Sequence, residues 1–163
     1  MRAVKYVGIL CVLLAAFLVS GEYRRRVKKR VSECREFLAF LSHMRVQVGC
    51  FLKPAKQLGE GFESESLTDA GFIQALATSD SIGQAFSLCE PRLSLSCEEK
   101  EVLSLFFSSF GEGYLDGQIK LIDATHARME SLYASLASES VKNTRLVAAI
   151  SVTAAIGLII FVI

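Results

Sequence analysis

Arg24-Arg25-Arg26-Val27-Lys28-Lys29-Arg30-Val31-Ser32-Glu33-Cys34-Arg35-Glu36-Phe37-Leu38-Ala39-Phe40-Leu41 decides how the chain is read: a cationic run passes directly into an amphipathic helix. Six cations in seven residues cannot enter hydrocarbon, yet they follow an apolar segment from Tyr6 to Ser20, so the run belongs at a membrane face. Cationic flanks stay on the cytoplasmic side, and this cluster outweighs Arg2 and Lys5 on the other flank. Arg24, Arg25, Arg26, Lys28, Lys29 and Arg30 are therefore read as orienting residues, and the segment before them as a signal anchor over residues 1–23. A cleaved signal peptide fits less well, because no clean small-x-small site closes the apolar stretch and the cations behind it oppose translocation.

The far end repeats the logic. The chain is 52% hydrophobic with mean hydropathy +0.40, too apolar for an average soluble domain, and the excess sits at both ends. Leu146 to Ile163 is free of charge. At a rise of about 1.5 Å per residue it would extend about 27 Å, enough to span a bilayer core. Lys142 and Arg145 precede it, so the same charge bias places residues 24–145 in the cytoplasm between two spans, 1–23 and 146–163.

Going inward from the cationic run, Val27, Val31, Cys34, Leu38, Leu41, Arg45 and Val48 recur at steps of 4, 3, 4, 3, 4 and 3, with Phe37, Phe40 and Met44 widening the stripe. A stripe this wide packs inside a bundle. Gly49 is expected to end that helix and Pro54 to start a short one containing Gln57 and Leu58. Gly59 to Ser66 reads as a loop, Phe72, Ile73 and Leu76 as a short helix, and Asp80 or Ser81 as the cap of another that Pro91 stops. Ser96 with Glu99 has capping-box spacing, and the helix it opens, carrying Val102, Leu103, Leu105, Phe106, Phe107 and Phe110, is expected to be the most buried element. Gly111 to Gly117 reads as a helix-helix turn, since Glu112 and Asp116 would repel a phosphate. The last cytoplasmic helix shows Leu115, Ile119, Ile122, His126, Met129, Tyr133 and Leu136 at the same spacing. The fold class is thus an all-α, membrane-anchored bundle of about six helices, its first and last long helices antiparallel so that both membrane ends return to one face.

Between Val31 and Val141 sixteen acids face eight bases, a balance of −8, which excludes nucleic acid and suits either plain solubility or a basic protein partner. The five cysteines match no zinc or redox spacing and read as small core thiols in a reducing compartment. Neither His43 nor His126 has a second histidine at i+4, and no serine sits in a nucleophile elbow. The cluster Glu98, Glu99 and Glu101 is accounted for by a helix start. No catalytic, cofactor or metal site is expected. Small residues recur at Ala149, Thr153 and Gly157 and at Ala16 and Ser20, a spacing that permits close helix packing in a membrane.

Against this layout, Arg35-Glu36-Phe37-Leu38-Ala39-Phe40-Leu41 through Val48-Gly49, then Phe51-Leu52-Lys53-Pro54, resembles the stage III sporulation protein AB family of endospore-forming bacteria. Phe110-Gly111 followed by Gln118 is similar to the family's Leu-Gly to Gln element, with Gly113 and Tyr114 in place of the usual Ser-Asp. The resemblance implies a helical domain like that of type II secretion F proteins and a non-enzymatic scaffold role in a channel complex between mother cell and forespore. It also implies a secretion-type ATPase, stage III sporulation protein AA, and other membrane subunits as partners beside the lipid bilayer, with the domain on the mother-cell side. A membrane-anchored signalling or regulatory adaptor outside any secretion machine is the alternative reading, and the exposed loop with Glu63 and Glu65 is the expected contact surface.

Replacing the six cations of residues 24–30 by glutamine should leave a mixed or inverted orientation. Labelling with a membrane-impermeant maleimide checks this. In intact cells Cys97 of the wild type should stay unlabelled until lysis, whereas the glutamine variant should label before it.

Overall fold

The computed structural model describes residues 2–51, 59, 61–111 and 114–162, and their side chains except at 2–17, 19–20, 50–51, 141–149, 151–152, 154–156 and 158–162. Among the described residues six α-helices follow in order: α1 (Arg2–Phe51), α2 (Glu65–Asp69), α3 (Phe72–Thr78), α4 (Ile82–Cys89), α5 (Cys97–Ser109) and α6 (Leu115–Val162), with a 3-10 turn at Glu90–Arg92. No strand occurs among the described residues. The chain divides into two compact units, one of residues 29–135 and one of residues 1–28 with 136–163.

Local chemistry explains the short helices of residues 29–135. Ser64 accepts from the Leu67 amide and so starts α2 inside the stretch read as a loop, a cap with no flanking apolar run to advertise it. Gly71, at φ +85°, makes the left-handed step from α2 to α3 that a side chain would resist. Ser81 caps α4 through the Gln84 amide, and Pro91 falls in the 3-10 turn that ends it, as its missing N–H requires. Ser96 and Glu99 close the expected capping box on α5. The restart at Pro54, Gln57 and Leu58 lies outside the described residues.

The core is an aromatic cluster that draws these helices onto α1. Phe37 stands 5.4 Å from Phe72, 6.0 Å from Phe86 and 6.3 Å from Phe107 between ring centroids, so one side chain of α1 touches α3, α4 and α5. Phe40 extends the cluster to Phe62 at 5.2 Å and Phe72 at 5.3 Å, edge to face. Gly83 brings the backbones of α4 and α5 together: a Cβ there would meet the Phe107 carbonyl oxygen at 3.0 Å.

Several expectations need correction. The buried face of α1 runs through Cys34, Phe37, Phe40, Leu41, Met44 and Val48, while Arg45 of the expected stripe is exposed. The residues that widened the stripe in the sequence are its centre, because the core lies on the aromatic side. Gly49 does not end α1, which reaches Phe51. α5 is amphipathic rather than buried all round: Leu103, Phe106 and Phe107 are buried and Leu105 is 69% exposed. Cys34 and Cys89 are buried, Cys97 is exposed, and Cys11 and Cys50 have side chains outside the described residues.

Within residues 29–135, α1 and α6 pack antiparallel as expected. As α1 advances from Ser42 to Arg45 to Gly49, its neighbour on α6 falls back from His126 to Asp123 to Ile119. Among the described residues no helix is long and apolar enough to cross a membrane; most side chains of the two segments assigned as spans lie outside the described part.

Phe37→Ala should cost about 3–5 kcal/mol, the usual range for deleting a buried ring. Urea unfolding of the detergent-solubilised protein checks this, and Phe37→Leu should lose much less because most of the volume is retained.

Candidate functional site

The cationic run is divided by its neighbours. Arg24, Arg25, Arg26 and Lys28 are exposed on α1, and Arg26 Nε lies 3.2 Å from Glu22 Oε1 one turn back. Such an exposed pair adds little, so the charge of the run remains available to solvent or headgroups. Lys29 and Arg30 turn instead to the helical domain. Lys29 Nζ is 3.7 Å from Glu33 Oε1, and the Arg30 guanidinium forks onto Glu99, with Nη2 donating to Oε1 at 2.8 Å and Nε to Oε2 at 2.9 Å. Of the six cations read as a single orienting set, five stay exposed, Lys29 among them although it lies beside Glu33, and Arg30 is half-buried on Glu99. The side chains of Lys142 and Arg145 lie outside the described residues.

Both of those carboxylates are buried, and each holds a segment of backbone. Glu99 Oε2 also accepts from the Ser96 amide at 2.7 Å, so a single side chain caps α5 and ties it to α1. Glu33, fully buried, accepts from the Ser94 amide at 2.6 Å and so anchors the segment that leads into α5. Its other oxygen, Oε1, has no hydrogen-bond partner. Burial pushes the Glu33 carboxyl above its ordinary value of 4.5, against the Ser94 hydrogen bond and the Lys29 and Lys100 charges, which pull it down. Beside it, burial pushes the Cys34 thiol up to about 12, with Glu99 adding in the same direction. Burial does the same to Cys89, also to about 12. Neither thiol is a nucleophile at neutral pH, since the thiolate is the reactive form.

A second polar cluster sits between α1 and α6, over a cavity of about 400 Å³ lined by Leu41, Ser42, Val46, Ile122 and Ala127 among others. Arg45 pairs with Asp123, and Ser42 Oγ lies 3.2 Å from His126 Nε2, whose Nδ1 is 4.0 Å from Glu130. His126 is therefore a bridging residue at the cavity rim, one-third exposed, and not the core residue its place on the apolar stripe suggests. The order Ser, His, Glu looks like a hydrolytic triad, but its chemistry is wrong. Ser42 Oγ already donates to the Leu38 carbonyl within α1, so its proton is not offered to the imidazole. All three residues lie on helices, where backbone amides are consumed by the helix and leave no oxyanion donors. The arrangement ties two helices together.

His43 stacks on Phe62 with centroids 5.4 Å apart and lies 3.4 Å from Gln47 Nε2. Glu98 pairs with Arg128 and links α5 to α6. Glu63 and Glu65 are exposed on either side of the Ser64 cap. Among the described residues no group of His, Cys, Asp or Glu could hold a metal ion. Sequence reasoning missed the roles of Glu33, Arg30 and Lys29: an acid one turn after a lysine signals only a local ion pair, and the fold turns that face inward.

The sequence matches the description of stage III sporulation protein AB over residues 5–163. The chain belongs to the stage III sporulation protein AB family. Family membership brings a role in sporulation, and the match runs through both apolar ends as well as the helical domain. No curated protein and no solved structure matches the chain.

Because burial raises the Glu33 pKa above its unfolded value, the folded state takes up this proton more readily than the unfolded chain. Glu33 therefore costs stability progressively as pH climbs from about 4.5 through its native value. Glu33→Gln keeps an acceptor for the Ser94 amide and removes the charge. The variant should be at least as stable as the wild type at neutral pH, with the advantage shrinking as pH falls toward 4.5; urea midpoints at the two pH values check this.

Proposed function

We propose that this member of the stage III sporulation protein AB family is a non-enzymatic membrane scaffold. Residues 1–23 and 146–163 anchor the chain in the membrane, and the domain between them docks a secretion-type ATPase on the cytoplasmic, mother-cell side of a channel complex that connects to the forespore. The observation that carries this reading is the division of the cationic run. Arg24, Arg25, Arg26 and Lys28 stay exposed directly after an apolar segment, while Lys29 and Arg30 tie the domain to the same helix. That is the arrangement expected of a domain held close against anionic headgroups, where each cation near the surface contributes about 1 kcal/mol. The charge balance of −8 between Val31 and Val141 supports a basic protein partner and repels the domain's remaining surface from the bilayer. The chemistry of the Ser42, His126 and Glu130 cluster gives no support to an enzyme.

The full-length protein, solubilised in mild detergent from sporulating cells, should bring the secretion-type ATPase with it. Reversing Glu63 and Glu65 together tests whether the exposed start of α2 forms the contact. Recovery of the protein without an ATPase or other membrane subunit, together with turnover of a small molecule, would replace the scaffold with an enzyme.

A further inference from the structure

The side of α5 turned away from the core presents Cys97, Glu101, Leu105 and Ser108 in one stripe, and with Glu90 they line an open groove of about 580 Å³. The stripe runs for twelve residues, about 16 Å of helix, the length over which a second helix of three turns would lie. Leu105, 69% exposed, stands in it although Leu103, Phe106 and Phe107 already supply the packing of α5. Charge decides what would cover it. The other acids at the start of α5 are committed, Glu98 to Arg128 and Glu99 to Arg30, whereas Glu90 and Glu101 have no ion-pair partner among the described residues. Lys100, the one cation of the groove, is half-buried and lies where its charge acts on buried Glu33.

We propose that this groove along α5 is the docking site for a basic amphipathic helix of a partner protein, which lays an apolar side chain against Leu105 and its cations against Glu90 and Glu101. The proposal rests on the scaffold reading above and gives it a surface other than the start of α2. An exposed leucine beside two acids that have no ion-pair partner among the described residues matches the apolar anchor and flanking charges that helix-in-groove recognition uses. Glu90 and Glu101 would set orientation and association rate, and Leu105 would carry the larger share of the affinity.

The test uses the full-length chain in sporulating cells, with the photo-crosslinking residue p-benzoyl-phenylalanine at position 105. The expected result is an adduct to a different protein, mapped by mass spectrometry to a peptide with net positive charge and helical apolar periodicity. Glu101→Lys in the same chain should lower the adduct yield about tenfold, and the exposed position makes the change harmless to folding, which an unaltered circular dichroism spectrum verifies. Adducts to the chain's own peptides, to lipid, or to no partner overturn the proposal, as does a yield unaffected by Glu101→Lys. Co-purification of the ATPase separates the two ideas. If the ATPase is recovered equally with wild type and Glu101→Lys while the adduct is missing or its yield unchanged, the scaffold reading stands and the groove falls; an adduct to another basic helix without ATPase recovery supports the groove and removes the ATPase.

Discussion

The bidentate pair between Arg30 and Glu99 is the contact on which the helical domain depends. Glu99 receives two hydrogen bonds from the guanidinium and a third from the Ser96 amide, while Ser96 Oγ accepts from the Glu99 amide. One buried carboxylate thereby starts α5, fixes its first turn against α1 and neutralises a cation that would otherwise belong to the exposed run. A buried pair of this kind adds little net stability, because desolvation offsets much of the attraction, but removing either partner strands the other. Its use here is register: it sets where α5 begins along α1. Glu33 reinforces the same junction by holding the Ser94 amide two residues before the Ser96 cap.

From that junction the aromatic cluster completes the domain. α2, α3 and α4 are short, five to eight residues each, below the length at which helices persist alone. The order of α3 and α4 comes from burial of Phe72 and Phe86 against α1, and caps at Ser64 and Ser81 satisfy amides that α2 and α4 leave open. Ser32 and Ser66, 2.7 Å apart, add a polar tie between α1 and α2 near the acidic junction. The buried carboxylate ties to α1 thus gather near residues 30–33, the aromatic packing follows at 37–48, and Ser42 and Arg45 add polar ties to α6 on the exposed side.

Much of this was legible before any coordinates. The period of α1 and α6, the capping box at Ser96 and Glu99, the stop at Pro91 and the absence of strand patterning follow from steric and hydrogen-bonding rules that act within a few residues. The order of Arg35–Leu41, Gly49 and the Phe110-Gly111 element carried the resemblance to the sporulation family that the match over residues 5–163 bears out. The start of α2 was missed because a lone serine cap looks the same in a loop.

What the sequence determined by itself is local: helix type, most helix starts, the apolar ends and the clustering of charge. Only the tertiary structure decided that Arg30 is drawn onto a buried carboxylate while the other cations of the run stay exposed, that His126 bridges two helices rather than filling the core, and that Leu105 lies outside it. The physical reason is that periodicity defines a stripe but not its centre. α1 carries apolar residues over a wide arc, and its buried side is chosen by where Phe72, Phe86 and Phe107 of other helices can meet it. Once that face is chosen, Arg30 and Glu33 turn inward with it, and Arg45 is left in solvent.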